Sequence, residues 1–236
     1  MNITNHEFNT VPVADGSEMG LYVAFPEGQG SFPAIIVLQE GFGLTRHIRN
    51  IAERLCNEGY AAIAPELYHR SGHRVEASYD DFPKVMEHFN AITKEGLTAD
   101  LEAAYQFLQQ QDNVTGDKIG SIGFCLGGRV SFLANSVLPM VAAISYYGGG
   151  IDQLIDEAPN LHGAHLFYWG GLDLHITSDK IDVVVNALKN AGKDYTNVVI
   201  SYADHGFNCD DRSSYHPLAA KEAWAHSLSF LENRLK

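Results

Sequence analysis

The sequence predicts an α/β protein with a mostly parallel central sheet and helices on both faces. Three observations carry that expectation. From Pro33 onward, short apolar runs alternate with segments of helical spacing, an order that demands parallel strands joined by crossover helices. The run Pro33-Ala-Ile-Ile-Val-Leu38 is apolar throughout, as befits a central strand covered on both faces. The runs end on polar or glycine-containing loops, where a sheet of this kind places its ligands. No repeat, low-complexity tract or linker interrupts the 236 residues, so one domain over 1–236 is expected.

Taken in order, Phe8 to Val13 and Leu21 to Phe25 predict two short strands joined by a turn at Asp15-Gly16. The strand Pro33 to Leu38 ends at Gln39-Glu40-Gly41-Phe42-Gly43. Ile48 to Glu58 has helical periodicity, with Ile48, Ile51, Ala52, Leu55 and Cys56 on one face and Gly59 at the C-terminal stop. Tyr60 to Ala64 predicts a buried strand. Glu66 to Ser78 predicts a loop carrying His69, Arg70, His73 and Arg74, and Phe82 to Leu108 a helical stretch broken near Gly96. Further strands are expected at Ile119 to Ile122, Val141 to Tyr147, Ala164 to Trp169 and Thr196 to Tyr202. Helices are expected at Arg129 to Asn135, Ser178 to Ala191 and Pro217 to Leu235.

Composition excludes several classes. A formal charge of −13 is unsuited to the phosphate backbone of nucleic acids, which needs clustered Lys and Arg. Three cysteines, Cys56, Cys125 and Cys209, give an odd count with no framework spacing, so a reducing compartment is expected rather than a disulfide scaffold. The stretch MNITNHEFNT has neither a basic nor an apolar region, and no apolar run approaches bilayer length. The expectation is a cytoplasmic protein without membrane contact, monomer or homodimer.

The chemistry centres on Lys118 to Val137. Here Gly123-Phe-Cys125-Leu-Gly127-Gly128 stands between a strand and a helix. This is the G-x-C-x-G-G form of the nucleophile elbow, with a thiol where a hydroxyl is usual. A sharp strand-to-helix turn strains its apex residue and needs small neighbours on either side, which glycine supplies. The apex side chain then lies at a helix N-terminus, where the dipole favours a thiolate.

Polar residues just after the predicted strands are Glu40, Cys125, Asp173 and His205. Nucleophile, acid and imidazole follow in the chain order of α/β-hydrolases. His205 can take the thiol proton and return it to a leaving group. Asp173 can hold the other ring nitrogen. Asp204 competes for that role, but consecutive residues at a strand end point apart, so Asp173 is expected. Backbone N–H groups of Leu126 and Gly41 are the expected oxyanion donors, one such donor being worth about 3 kcal/mol in the transition state.

Six segments in family order carry a resemblance: Leu38-Gln-Glu-Gly-Phe-Gly43, Gly59-Tyr-Ala-Ala-Ile-Ala-Pro-Glu-Leu67, Gly123-Phe-Cys-Leu-Gly-Gly128, Tyr146-Tyr-Gly148, Gly170-Gly-Leu-Asp173 and His205-Gly-Phe207. Over nearly its whole length the chain resembles the dienelactone hydrolase family of the α/β-hydrolase superfamily. The resemblance implies hydrolysis of small esters or lactones, and the leading expectation is a cofactor-free cysteine hydrolase with no metal, the alternative being a carboxylesterase of other small esters. Its triad would be Cys125, Asp173 and His205, its reaction would pass through a thioester, and the family's active-site glutamate would map onto Glu40. A role for Glu40 in tuning the protonation of Cys125 follows. Dienelactone-cleaving members bind a substrate carboxylate with two arginines. Here Arg212 stands farther along behind two acids, and Arg70 and Arg74 are the upstream candidates. Phe42, Tyr146 and Tyr147 are candidate pocket aromatics.

Other readings are weaker on the residues. A metal hydrolase would draw on His162/His165 or Asp173/His175, neither in an H-E-x-x-H context. The glycines fit neither nucleotide-binding pattern. A redox role for Cys125 lacks a C-x-x-C partner. A non-catalytic binding protein on the same fold has no need of an intact Cys125, Asp173 and His205.

Overall fold

The computed structural model describes residues 3–236, with side chains from Glu7 onward. Met1 and Asn2, at the head of the stretch read for a signal, lie outside the described residues. Eight strands form a mostly parallel sheet, and the chain divides into two compact units, 1–120 and 121–236.

In the first unit, β1 (Ile3–Pro12) and β2 (Glu18–Pro26) pair antiparallel. Gly16, at φ +86°, makes the turn between them. β3 (Phe32–Leu38) leads into α1 (Arg46–Asn57) and then β4 (Ala61–Pro65), which pairs parallel with β3 and antiparallel with β2. The predicted face of α1 is the buried one: Ile48, Ile51, Ala52, Leu55 and Cys56 are all nearly inaccessible. Cys56 is core, and burial, then the charge of Glu53, push its thiol pKa up to about 11.

The stretch expected to be helical from Phe82 to Leu108 is split differently from the sequence reading. A 3-10 turn at Phe82–Val85 runs into the short α2 (Met86–Asn90), and α3 (Lys94–Gln109) follows. The break falls at residues 91–93, not at Gly96. Thr93 caps α3 by accepting the Gly96 N–H at 3.0 Å, so the glycine sits in the first turn, where its flexibility costs little.

β5 (Val114–Phe124) runs from the first unit into the second. The second unit continues with α4 (Leu126–Val137), β6 (Ala142–Tyr146), β7 (Ala164–Gly170), α5 (Ser178–Asn190), β8 (Tyr195–Ile200) and α6 (Pro217–Leu235). β6, β7 and β8 are parallel neighbours. Two 3-10 turns between β6 and β7, Ile151–Gln153 and Ile155–Asn160, have no counterpart in the sequence reading. The core is aromatic. Tyr146 stacks on Phe124 at 4.8 Å between ring centroids and lies 4.6 Å from Tyr168. Hydroxyls follow these rings into the core and find partners there, Tyr146 with Ser227 at 2.7 Å and Tyr168 donating to the Ala223 carbonyl at 3.0 Å. That satisfaction is what makes burying a tyrosine favourable. Among the described residues, no helix is long and apolar enough to cross a membrane.

Candidate active site

β5 ends at Phe124 and α4 begins at Leu126, leaving one residue for the turn. Cys125 makes it with φ 55° and ψ −113°. Such a conformation costs a non-glycine residue about 1–3 kcal/mol and persists only where its surroundings impose it. The surroundings here are backbone. A Cβ on Gly123 would overlap the carbonyl oxygen of Gly127, and one on Gly128 would come within 2.7 Å of the Tyr146 carbonyl oxygen. The Cys125 N–H donates to that same Tyr146 oxygen at 3.0 Å, and the Cys125 carbonyl accepts from Gly128 at 3.0 Å and Arg129 at 3.3 Å. The apex is thus tied to β6 on one side and to the first turn of α4 on the other. Its side chain is partly exposed, at the positive end of the helix.

Asp173 lies in the turn after β7 and is almost fully buried. Its Oδ1 accepts the N–H groups of His175 at 2.8 Å and Ile176 at 3.1 Å. Its Oδ2 lies 2.7 Å from Nδ1 of His205. Burial by itself would raise the carboxyl pKa. The hydrogen bond and charge of His205, with the two backbone N–H groups, outweigh burial and hold it below the ordinary value. Asp204 is turned away from this role, its Oδ1 accepting the backbone N–H of His205 at 2.6 Å.

His205 is held between two partners. Burial opposes its charged form, but hydrogen bonds to Asp173 and to Cys125, and the negative charge of both, prevail and raise its pKa to about 10. The arrangement therefore favours the imidazolium form of His205. Tyr147, itself at φ 38°, packs its ring 5.1 Å from the imidazole. Gly206 takes φ +80°, and a Cβ there would meet the Arg212 guanidinium at 2.5 Å from Nε.

The sequence-derived candidates fall into groups. Cys125, Asp173 and His205 come together, with Tyr147 against the imidazole and Arg212 against the next residue. Leu126 opens α4, so its N–H is one of the first-turn donors without an intrahelical acceptor. Glu40 is fully buried, just past the end of β3. Gly41 follows, its carbonyl accepting from the Tyr68 hydroxyl at 2.8 Å. Phe42 packs in an aromatic cluster with Tyr79 and Phe82, at 4.7 and 5.5 Å.

Three candidates for substrate contact have other employment. Tyr146 is core, fully buried with its hydroxyl on Ser227. Arg70 makes a two-pronged pair with Asp100, at 2.9 and 2.8 Å, and a third bond to Asp15 at 2.6 Å. Arg74 pairs with Glu66 at 3.4 Å and lies over the Phe8 ring. The histidine pairs weighed as metal ligands are also committed. Both ring nitrogens of His165 are hydrogen-bonded, to Ser145 and Asn135, and both oxygens of Asp173 are in use.

Sequence reasoning missed the N–H groups of His175 and Ile176 that fix Asp173. The signal was present: Asp173-Leu-His-Ile176 after two glycines is an Asx-turn sequence, in which the carboxylate accepts from the backbone two residues on.

A strained elbow between strand and helix, followed in chain order by an acid and an imidazole that meet, defines the α/β-hydrolase class. Comparison with known proteins narrows this. The family model described as the dienelactone hydrolase family matches residues 19–235. A Synechocystis sp. protein provisionally named carboxymethylenebutenolidase is 33% identical, covering 91% of this chain and 92% of its own. The carboxymethylenebutenolidase of Pseudomonas putida is 29% identical, covering 92% of each chain. The crystal structure of a provisionally named dienelactone hydrolase from Klebsiella pneumoniae superposes with TM-score 0.84 at 31% identity, covering 97% of this chain and 99% of that one. The chain belongs to the dienelactone hydrolase family, and is by that membership a hydrolase of carboxylic esters or lactones.

Proposed function

We propose that Cys125 is the nucleophile of a thioester mechanism, with His205 as its acid and base and Asp173 as the group that orients His205. The observation that carries this reading is the placement of His205, hydrogen-bonded to Asp173 through Nδ1 at 2.7 Å and to Cys125 as well. The thiolate attacks the substrate carbonyl and its electrons move onto the oxygen. The Leu126 N–H, in the first turn of α4, receives that oxyanion. The imidazolium of His205 gives its proton to the departing alkoxide as the C–O bond breaks. Water, losing its proton to His205, then attacks the thioester, and Cys125 leaves as thiolate with the acid as product.

Small esters and lactones are the proposed substrates, in keeping with the names of the relatives. With Arg70 and Arg74 paired to acids, a free substrate carboxylate is not a requirement, and Arg212 and Tyr147 remain as proposed contacts. The family resemblance supplies Glu40 as the residue that tunes the thiol's protonation. Cys125→Ala tests the central assignment: turnover of an activated aryl ester is lost while circular dichroism is unchanged. Retained turnover would overturn it.

A further inference from the structure

Under the elbow lies a buried polar chain that the mechanism above does not use. Asn135 of α4 grips Gly163 at two points, accepting its N–H at Oδ1 (2.9 Å) and donating from Nδ2 to its carbonyl (3.0 Å). The first of these bonds fixes which amide atom is oxygen. Nδ2 is therefore the group that lies 3.2 Å from Nδ1 of His165, and it must donate there. With Nδ1 an acceptor, the proton of His165 resides on Nε2. That N–H points at Oγ of Ser145, 2.8 Å away. Ser145 in turn donates to the carbonyl of Gly128 at 2.6 Å.

Each link sets the direction of the next, and all ends on one atom. Gly128 is in the first turn of α4, and its N–H binds the carbonyl of Cys125. Asn135, Ser145 and His165 are fully buried. The imidazole is stacked on Phe167 at 4.1 Å, which fixes its plane. Burial lowers the His165 pKa to about 3, so the one-proton tautomer that the chain needs persists at any working pH.

We infer that Asn135, His165 and Ser145 are positioning residues for the nucleophile, a one-way hydrogen-bond chain that holds the Gly128 carbonyl and with it the strained turn at Cys125. The inference rests on the proposed role of Cys125. Small displacements of a reacting group cost up to about 100-fold in rate, so loosening the turn should show in kinetics and not only in stability.

The test compares Ser145→Ala and Ser145→Cys, which keeps the volume with a weaker donor, against Val184→Ala, which opens a small cavity in α5 away from the elbow. Two quantities are read: kcat and KM for an aryl ester, and the pH profile of Cys125 alkylation by iodoacetamide. Ser145→Ala should lower kcat and the alkylation rate about tenfold with KM within about twofold, and Ser145→Cys should lie between it and wild type. Should Ser145→Ala fail to fold, Ser145→Cys must still show the kcat loss. Val184→Ala should lose stability with both quantities intact. His165→Gln, which keeps an N–H toward Ser145, should retain more activity than His165→Leu. Loss of stability in the Ser145 variants with kcat and alkylation unchanged would overturn the inference. Wild-type protein that neither hydrolyses esters nor alkylates at Cys125 would instead overturn the nucleophile assignment, so the two failures are distinguishable.

Discussion

Oδ2 of Asp173 lies 2.7 Å from Nδ1 of His205, while the other oxygen of the same carboxylate is held by two backbone N–H groups. The acid is thus fixed before it fixes the imidazole. An amide cannot replace it. In Asp173→Asn, either the amide N–H₂ faces Nδ1 and imposes the wrong tautomer, or it faces the two N–H donors and loses them. The expected outcome is a fall in kcat of about 10⁴-fold with little change in KM, read from aryl-ester hydrolysis by protein whose circular dichroism is unaltered.

The same pair sets a pH dependence of stability. His205 has a folded pKa raised to about 10 from an ordinary 6.5. Its contribution is therefore complete below about pH 6.5 and is lost as pH rises through about 10. Asp173, with its pKa depressed, contributes above about pH 3.9, and that contribution fades as pH falls. Urea unfolding of wild type and His205→Gln at a series of pH values should show the difference between them shrinking from pH 7 to pH 10.

Labelling should discriminate among the three cysteines. Cys56 is buried with its thiol pushed up to about 11, and Cys209 is fully buried. Cys125 is partly exposed beside an imidazolium. Iodoacetamide at pH 6.5 should give one label per chain, on the peptide that contains Cys125. In Glu40→Gln the rate of that labelling against pH should shift, and an unchanged profile would remove Glu40 from the mechanism.

The elbow glycine gives a stability prediction. Gly123→Ala would drive a Cβ into the Gly127 carbonyl, backbone that cannot move aside without opening the turn. A loss of more than about 2 kcal/mol is expected, together with loss of activity, measured by the urea midpoint and by turnover.

Much of this was legible in the sequence, for physical reasons. Gly123 and Gly128 are glycines because a Cβ at either would run into backbone at the strand-to-helix turn, so that part of the motif reads directly as geometry. Asp173 and His205 are found as polar residues that end apolar runs, since strand ends share one rim. What sequence could not supply were partners far along the chain. Arg70 reads as a free loop cation until Asp15, 55 residues earlier, is seen to take one of its N–H groups. β5 begins at Val114, five residues before the apolar run that announces it, because Thr115-Gly-Asp-Lys118 has no apolar alternation to betray a strand. His165 read as a candidate metal ligand because nothing in its neighbourhood along the chain reveals Asn135 and Ser145 at its two nitrogens.

The most direct measurement is an acid-quenched reaction of the enzyme with an activated aryl ester, followed by peptide mass spectrometry. The account predicts one acyl group per chain, in thioester linkage on the peptide bearing Cys125, released by hydroxylamine and absent in Cys125→Ala. An acyl group on any other residue, or full turnover by Cys125→Ala, would contradict it.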